Sequence, residues 1–320
     1  MQGDQLARST QRLMQMLRPE NVGTAAQTAM TWLKPLPAPP HAVEPLRRFP
    51  NYPATLGRLG ALEVRLAREK RDVKRAQKLR YRLFYKDGTA IADAAMLLSQ
   101  RDKDAYDKIC DHLLVIDHAA RPSMRGQQPV VGTYRLLRQD VAARHGGFYS
   151  ENEFDIAGLI GRHADLRFLE LGRSCVLPLY RNKRTVELLW HGIWSYVRRH
   201  GCEVMIGCAS FEGTDPDRLA LPLSFLHHYA RAPEAWRAAA HPARRIEMNR
   251  LPREAINPKA ALHELPPLIK GYLRLGATIG DGAVIDHQFG TTDVLIVMPV
   301  SAINARYIEH FGVDASRHAA

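Results

Sequence analysis

The stretch Phe168-Leu-Glu-Leu-Gly-Arg-Ser-Cys-Val-Leu177 places two charged residues in a run that is otherwise largely apolar and typical of a β-strand. Burying a charge is costly, so such residues need a partner or a chemical role. In a regular strand Glu170 and Arg173 would face opposite ways, because side chains alternate between the two faces. A β-bulge near Gly172 would turn both toward one cavity. The stretch therefore predicts a strand over 167–177 that is bulged near Gly172.

A carboxylate beside an opened strand is suited to acyl transfer from a thioester. Glu170 would remove a proton from the attacking amine, and a backbone N–H of the bulge would stabilise the oxyanion of the tetrahedral intermediate. A structural ion pair between Glu170 and Arg173 explains the same residues equally well, so the pattern leaves both interpretations open.

The rest of the chain alternates strand and helix patterns and predicts an α+β or mixed-sheet α/β domain. The predicted elements are strand 62–66, basic helix 68–85, strands 112–117 and 130–137, strand 167–177, helix 185–200 capped by Thr185, strand 203–211, a helix opening at Asp215, and further helical and β segments at 265–275, 277–285 and 294–300.

The chain is strongly basic. Its 320 residues include 45 Lys plus Arg and 33 Asp plus Glu, which gives a net charge of +12. A hydrophobic fraction of 46% is that of an ordinary globular protein. The charge predicts an anionic partner, either an acidic protein, a phospholipid surface or a nucleic acid, and does not choose among them.

The chain divides into three predicted regions. Residues 1–57 are rich in proline and are expected to be a mobile or disordered extension, residues 58–305 form the domain, and residues 306–320 form a tail. No run of about 18 apolar residues occurs, so we expect a cytoplasmic protein that does not span a membrane. The four cysteines have no metal-ligand spacing and are expected to be reduced, and no metal site is predicted.

Several motifs in order resemble the ornithine lipid synthesis N-acyltransferases of the OlsB type, which have been labelled hemolysin-like and belong to the GNAT superfold. The resemblance runs from about residue 80 to 300 and is carried by the following stretches: Glu170-Leu-Gly-Arg173-Ser-Cys-Val, Tyr180-Arg181, Leu188-Leu-Trp-His-Gly-Ile193, Cys110-Asp-His-Leu-Leu-Val115, Val131-Gly-Thr-Tyr-Arg-Leu136 and Gly271-Tyr-Leu-Arg-Leu-Gly276. It implies a GNAT-like acyl-CoA N-acyltransferase fold, with helices flanking a mixed central sheet. It also implies transfer of a 3-hydroxyacyl group from acyl carrier protein to the α-amine of L-ornithine, which gives lyso-ornithine lipid.

A more distant resemblance to the LuxI-type acyl-homoserine lactone synthases implies roles for single residues. It places seven residues around the acyl donor and the amino-acid acceptor: Arg80, Phe84, Asp104, Asp107, Arg135, Glu170 and Arg173. From charge complementarity we expect Asp107 and Asp111 to hold the cationic tail of ornithine, and Arg135 or Arg173 to hold its carboxylate. Glu170 and Arg173 are the predicted catalytic pair.

The donor side departs from many GNAT enzymes. Their Arg/Gln-x-x-Gly-x-Gly/Ala loop cradles the pyrophosphate of coenzyme A at a helix N-terminus, whereas this chain has Arg181-Asn-Lys-Arg-Thr-Val186. Acyl carrier protein, which is acidic and presents a single phosphate, fits this basic stretch better. The predicted contacts of the carrier and its pantetheine arm are Ser174, Cys175, Val176, Arg181, Lys183, Arg184 and Thr185. A solvated basic turn is the competing explanation.

The expected partners are therefore acyl carrier protein and L-ornithine, with the acyl thioester as co-substrate and no cofactor. Because the product is amphipathic and the chain basic, we also expect peripheral contact with the anionic inner membrane. The alternative enzymes are an acyl-homoserine lactone synthase or another amino-acid N-acyltransferase.

Two further alternatives have little support in the sequence. A catalytic dyad of His112 and Asp117, as in glycerolipid acyltransferases, would need residues that lie five positions apart in one strand and so on opposite faces. A basic nucleic-acid-binding protein would account for the charge, with the helix at 68–85 as its footprint. No zinc-ligand, aromatic RNA-binding or helix-turn-helix pattern accompanies that helix, so no nucleic acid is expected.

Overall fold

The computed structural model describes residues 55–124 and 126–303. They form two compact units. The N-terminal unit comprises residues 55–149 and 167–203, and the C-terminal unit comprises residues 150–166 and 204–303. The predicted tail and residues 1–54 of the predicted extension lie outside the described residues.

The described residues contain strands and helices in alternation, as predicted. The strands are β1 (Gly57–Leu59), β2 (Leu62–Leu66), β3 (Asp111–Asp117), β4 (Val130–Arg138), β5 (Phe168–Val176), β6 (Val204–Glu212), β7 (Arg245–Ile246), β8 (Thr278–Asp286) and β9 (Thr291–Pro299). The α-helices are α1 (Lys70–Tyr81), α2 (Ala94–Ser99), α3 (Gln139–Ala142), α4 (Ile156–Arg162), α5 (Lys183–His200), α6 (Ala220–Tyr229), α7 (Pro258–Glu264) and α8 (Pro267–Leu275).

The sheet of the N-terminal unit consists of β1 to β5, paired antiparallel in chain order. The predicted strands of this unit are confirmed within one or two residues. Regular structure is already present before Leu62, where β1 pairs with β2 in a hairpin. Leu56 is buried and its N–H donates to the carbonyl of Val64 at 2.8 Å, so Gly57 of the predicted extension belongs to the sheet.

Helices cover both faces of this sheet. On one face α1 packs through Leu79 and Leu83 against Leu114 of β3. On the opposite face lies the neighbouring residue Leu113, against which α5 packs closely. A Cβ atom added to Gly192 of α5 would lie 2.7 Å from Val64 Cγ2 and 3.0 Å from Leu113 Cδ1, so any larger residue here would force these side chains to shift. The alternation of β3 thus explains why both Leu113 and Leu114 are buried.

The C-terminal unit has its own antiparallel pairings, in the order β6-β9-β8-β7. The β6–β9 pair runs without interruption from Val204↔Pro299 to Glu212↔Thr291. Two isolated parallel bridges, Arg231↔Ile279 and Ala239↔Asp281, add a parallel element, so the strand pairing is mixed.

Three predicted helix boundaries are displaced in the structure. The basic helix begins at Lys70 and its last turn, Arg82–Lys86, is π-helical. Helix α5 begins at Lys183, because Asn182 is the N-cap and its side chain accepts from the N–H of Thr185 at 3.1 Å. The cap assignment to Thr185 was therefore wrong by three residues.

The third displaced helix is α6, which begins at Ala220 and not at Asp215. The Asp215 side chain accepts from the N–H of Asp217 at 3.0 Å and holds a turn that precedes the helix. Aspartate commonly stabilises such turns through its own side chain.

Candidate active site

The predicted bulge is present in β5. Thr133 of β4 pairs with Cys175, and Arg135 pairs with Gly172, so Arg173 and Ser174 together lie opposite one residue of β4. Arg173 adopts φ = 50°, in the left-handed region that costs a non-glycine residue about 1 kcal/mol.

Glu170 lies two residues before Gly172 and is buried, with 5% of its surface exposed. Its carboxylate accepts a hydrogen bond from the backbone N–H of Tyr149 at 2.9 Å. Glu170 pairs with Leu137, and Gly172 pairs with Arg135. These two pairs are two residues apart along each strand, so the side chains of Glu170 and Arg135 lie on the same face of the sheet. The structure therefore places an anchored carboxylate beside the bulge.

The Arg173 guanidinium contacts two aspartates and one tyrosine. Its Nε lies 3.3 Å from Asp102 Oδ2, and its Nη2 lies 3.3 Å from Asp104 Oδ2. The ring centroid of Tyr149 is 4.8 Å from its Cζ. Burial lowers the pKa of Arg173, but Tyr149, Asp102 and Asp104 outweigh that effect and hold the pKa above its ordinary value. Arg173 is therefore a fixed cation.

Arg135 extends the same network from β4. Its Nη1 is 2.6 Å from Asp104 Oδ2 and 3.7 Å from Asp107 Oδ1. The rings of Tyr106 and Tyr149 lie on it, with centroids 5.5 and 5.6 Å from Cζ. Only 3% of the side chain is exposed, against 22% for that of Asp104. Asp104 is thus the more accessible partner.

Arg80 of α1 forms the buried base of the network. Its Nε is 2.7 Å from Asp102 Oδ2, and its Nη2 is 2.8 Å from Asp107 Oδ1. Asp107 also accepts from Gln77 at 3.1 Å. Burial raises the pKa of Asp107, yet the charges of Arg80 and Arg135, together with that of His112 when it is protonated at acidic pH, outweigh burial and lower it. The Asp107 carboxylate is ionised and its oxygens are already occupied.

These contacts define what we term the arginine–aspartate cluster: Arg80, Arg135, Arg173, Asp102, Asp104 and Asp107. Its three cations and three anions balance. His112 adds no charge at pH 7, because burial, followed by the charge of Arg80, lowers its pKa to about 4. Glu170 therefore supplies an additional carboxylate on the face that holds Arg135.

The prediction that Asp107 and Asp111 hold one ammonium together was wrong. His112 pairs with Arg135, and Asp111 pairs with Leu136, so Asp111 lies on the other face of the sheet. There it accepts from the Tyr196 hydroxyl at 2.6 Å, and burial raises its pKa.

Phe84 and Cys175 take part in the apolar packing of this unit. Both pack in the apolar contact between α1 and the sheet, with Leu79 and Leu83. Burial raises the pKa of the Cys175 thiol to about 12, so this sulfur is inert. The Cys175 backbone is paired with Thr133.

The other predicted donor contacts surround the N-terminus of α5. Arg181, Lys183 and Arg184 are exposed, and Ser174 and Val176 are half-buried. The Nε of Arg181 donates to the carbonyl of Val176 at 3.0 Å and so ties this turn to the strand that carries the bulge. Thr185 is fully buried in the helix cap and takes a structural role.

His112 and Asp117 do not form a dyad. The Nε2 of His112 bonds the carbonyl of Asp107 at 3.1 Å, whereas Asp117 accepts from the Tyr180 hydroxyl at 2.7 Å. Because the two side chains bind different partners, the glycerolipid acyltransferase alternative has no geometric basis.

Three residues of the site were missed in the sequence, namely Asp102, Tyr106 and Tyr149. Asp102 has a usable signal, because it precedes Asp104 and Asp107 in a short acidic run. The two tyrosines come from connecting segments, and no spacing in the sequence indicates that their rings cover the arginines.

Among the described residues, a separate group with metal-ligating atoms lies in the C-terminal unit. The candidate ligand atoms of Glu153, Cys208 and Asp293 all lie within 4.8 Å of one another. The Cys208 thiol donates to Glu153 Oε2 at 3.3 Å. Burial, followed by the charge of Asp293, raises the pKa of Glu153 to about 7. The carboxylate is therefore easily protonated.

Comparison with known proteins identifies the fold and the family. The family model described as Acetyltransferase (GNAT) domain matches residues 79–191. This match confirms the predicted fold class, and the GNAT domain is an acyltransferase domain.

Curated relatives named L-ornithine N(alpha)-acyltransferase resemble the chain over most of their length. The relative from Agrobacterium fabrum is 55% identical over 82% of this chain and 88% of its own. The relative from Rhizobium meliloti is 53% identical over 85% and 92%. The chain belongs to this family of acyltransferases.

Solved structures show more distant likeness. They include FeeM, an N-acyl amino acid synthase from uncultured soil microbes, which is 8% identical over 77% of this chain and 95% of its own, with a TM-score of 0.42. The AHL synthase LasI is 11% identical over 78% and 95%, with a TM-score of 0.41.

In the part of the chain that the structure describes, each helix is too short or too polar to cross a bilayer.

Proposed function

We propose that this protein transfers a 3-hydroxyacyl group from acyl carrier protein to the α-amine of L-ornithine, which gives lyso-ornithine lipid. The observation that carries the proposal is the Glu170 carboxylate, which Tyr149 anchors beside the bulge of β5 in a member of the L-ornithine N(alpha)-acyltransferase family. The amine of the acceptor and the thioester of the donor react here, beside the Glu170 base and the bulge of β5.

In the proposed reaction the ornithine α-ammonium gives a proton to Glu170. The nitrogen lone pair attacks the thioester carbonyl, and a backbone N–H near Gly172–Ser174 stabilises the oxyanion. As the intermediate collapses, the C–N bond stays, the C–S bond breaks, and the departing pantetheine thiolate takes the second proton from nitrogen. Glu170 then releases its proton to solvent. Only the thioester is needed as co-substrate, because the reaction involves no net oxidation or reduction.

The acceptor contacts in this proposal follow from accessibility. Asp104 replaces Asp107 and Asp111 as the partner of an ornithine ammonium, because its side chain is 22% exposed and that of Asp107 is 4% exposed. Arg173 is the partner of the ornithine carboxylate, since it is less buried than Arg135 and lies at the bulge. Arg80 holds Asp102 and Asp107 and thereby positions the other residues of the cluster.

The donor contacts lie at the start of α5. Arg181, Lys183 and Arg184 form an exposed basic surface at a helix N-terminus, which favours both an acidic protein and the phosphate of the pantetheine arm. A peripheral position on the anionic inner membrane, on the cytoplasmic side, completes the proposal, because it places the enzyme where the amphipathic product is needed.

Mass spectrometry of the products tests this function. The purified full chain is incubated with 3-hydroxyacyl carrier protein and L-ornithine, lysine, glutamine or S-adenosylmethionine. An amide of ornithine, acylated on the α-nitrogen as shown by fragmentation, is the expected product. An acyl-homoserine lactone, or preference for another amino acid, would refute the ornithine assignment, whereas transfer from acyl-coenzyme A at equal efficiency would refute the carrier assignment.

A further inference from the structure

Residues 91–101 form a projecting segment whose two ends are tied to one helical stretch. Before the segment, the N–H of Ala90 donates to the carbonyl of Phe84 at 3.0 Å. After it, the N–H of Asp102 donates to the carbonyl of Gln77 at 3.1 Å. The two anchors, Gln77 and Phe84, are seven positions apart along the helix, so the ends lie about 10 Å apart. The segment, which contains α2, therefore leaves and rejoins the same side of the N-terminal unit.

The tip of this segment is apolar and exposed. Ile91, Leu97 and Leu98 are 70%, 58% and 89% exposed, and they are half of the six large exposed hydrophobic residues among those that the structure describes. Met96 points inward and is 8% exposed, and Asp93 caps α2 by accepting from the Met96 N–H. The helix is therefore held so that two consecutive leucines face solvent, an arrangement that usually marks an interaction site.

Exposed cations accompany the apolar tip. Along α1 and its π-helical turn, exposed basic residues recur at every fourth position: Lys70, Lys74, Lys78, Arg82 and Lys86. Four residues are close to one helical turn, so these side chains follow one side of the helix. Among them, Arg82 has an acidic neighbour, Asp87, at 3.4 Å. Lys103 adds a cation directly after the segment.

We propose that this surface, which we term the α2 surface, docks on an anionic phospholipid bilayer. Ile91, Leu97 and Leu98 insert among the acyl chains, and the cations of α1 lie against the phosphates. Membrane attachment of this kind needs both an apolar and an electrostatic contribution, and the surface supplies both. Highly exposed aliphatic side chains suit a fluid surface better than the preformed groove of a protein partner.

The position of the segment in the chain gives this docking a use. Asp102 and Asp104 of the arginine–aspartate cluster follow it directly. Docking of the segment would therefore bring this edge of the arginine–aspartate cluster close to the lipid surface. This step rests on the proposed function, since only an amphipathic product gains from release at a membrane.

Vesicle co-sedimentation of the full chain tests the proposal. The vesicles contain phosphatidylcholine with about 30% phosphatidylglycerol, or phosphatidylcholine alone. We expect binding to the anionic vesicles, and Leu97→Asp with Leu98→Asp should lower the partition coefficient about tenfold or more. Met124→Asp is the matched control, because Met124 is fully exposed but lies in the β3–β4 loop. Equal binding by the double variant, or an equal loss in the control, would overturn the proposal.

Hydrogen exchange locates the contact and separates it from other membrane-binding segments. Amides of residues 91–100 should become protected when anionic vesicles are added, and protection confined to residues 1–54 would refute the α2 surface. Formation of acyl-ornithine in lipid-free buffer is measured in parallel. If the double variant loses vesicle binding but no form of the protein makes acyl-ornithine, the proposed function fails and the docking surface stands.

Discussion

At the scale of single residues, Glu170 is the group on which the proposed chemistry depends. We expect Glu170→Gln to lower kcat by about 100-fold to 10,000-fold, the usual contribution of a general base. Glutamine has the same shape and keeps an oxygen that accepts from the Tyr149 N–H, so the variant should fold normally. Steady-state kinetics and circular dichroism measure the two effects.

Glu63→Gln is the matched control for this variant. Glu63 is a buried glutamate of the same unit, but it lies on β2 and contacts His118 at 2.6 Å. Its substitution should leave kcat within about twofold, because surface and packing changes away from the site rarely alter chemistry. Wild-type kcat in Glu170→Gln would show that another group accepts the proton.

Glu153 gives a prediction on the pH dependence of stability. Its pKa is raised from 4.5 to about 7 in the folded protein, so the folded state binds more protons than the unfolded state between these values. This contribution to stability is present below pH 4.5 and is lost as pH rises to 7. Glu153→Gln, which is neutral throughout, should raise the free energy of unfolding at pH 8 by about 1–3 kcal/mol.

Denaturant unfolding at two pH values measures this effect. At pH 4 wild type and Glu153→Gln should be nearly equally stable, because Glu153 is then protonated in both the folded and the unfolded chain. A variant that is less stable than wild type at pH 8 would show that the ionised carboxylate contributes a needed contact, for example with Arg244 at 3.4 Å.

At the scale of secondary-structure elements, periodicity predicted the strands well and the helix ends less well. The alternation of Leu62, Val64 and Leu66 marks β2 because one face of that strand is buried against the core. Helix ends depend on single hydrogen bonds, so Asn182 took the cap that Thr185 was expected to form. An Asn followed by basic residues offers little to distinguish these two caps before the structure is known.

The bulge of β5 was predictable and the cluster around it only partly so. Two charged residues in an apolar strand need a local irregularity that brings them to one face, and the glycine between them indicates where the bulge lies. Which acids join the arginines depends on the register of β3 with β4, and the sequence does not set this register. Side chains alternate between the two faces of β3, so a register shift of one residue would exchange the faces of Asp111 and His112. In the observed register His112 lies on the face of Arg135.

The cap of α5 leads to a prediction at this scale. Asn182→Ala removes the acceptor of the Thr185 N–H and should lower the free energy of unfolding by about 1 kcal/mol. Asn182→Ser is the control, because serine retains a capping oxygen and should lose much less. Chemical denaturation measures both. Equal stability of the alanine variant and wild type would show that the first turn of α5 contributes little to unfolding.

At the scale of the whole molecule, the net charge can be counted directly from the sequence, but it does not identify the anionic partner. The net charge of +12 is compatible with a carrier protein, a membrane or a nucleic acid. Two groups of exposed cations in the described part of the chain bear on the proposals, the group at the N-terminus of α5 and the row along α1 and its π-helical turn. In the two proposals above, a carrier protein binds the first group and a lipid surface binds the second.

The division of charge makes a prediction about salt. If the carrier docks at Arg181, Lys183 and Arg184, raising the ionic strength from about 50 to about 300 mM should increase the KM for the acyl carrier protein several-fold, since exposed charge pairs are screened over such a range. The lipid-free assay excludes the membrane from this effect. Arg181→Ala with Arg184→Ala should raise KM at low salt and flatten its salt dependence. Arg218→Ala is the control, because its side chain is 87% exposed but it belongs to the C-terminal unit. A KM that ignores salt, or the same flattening in the control, would move the carrier site away from α5, while the family assignment and the role of Glu170 would be unaffected.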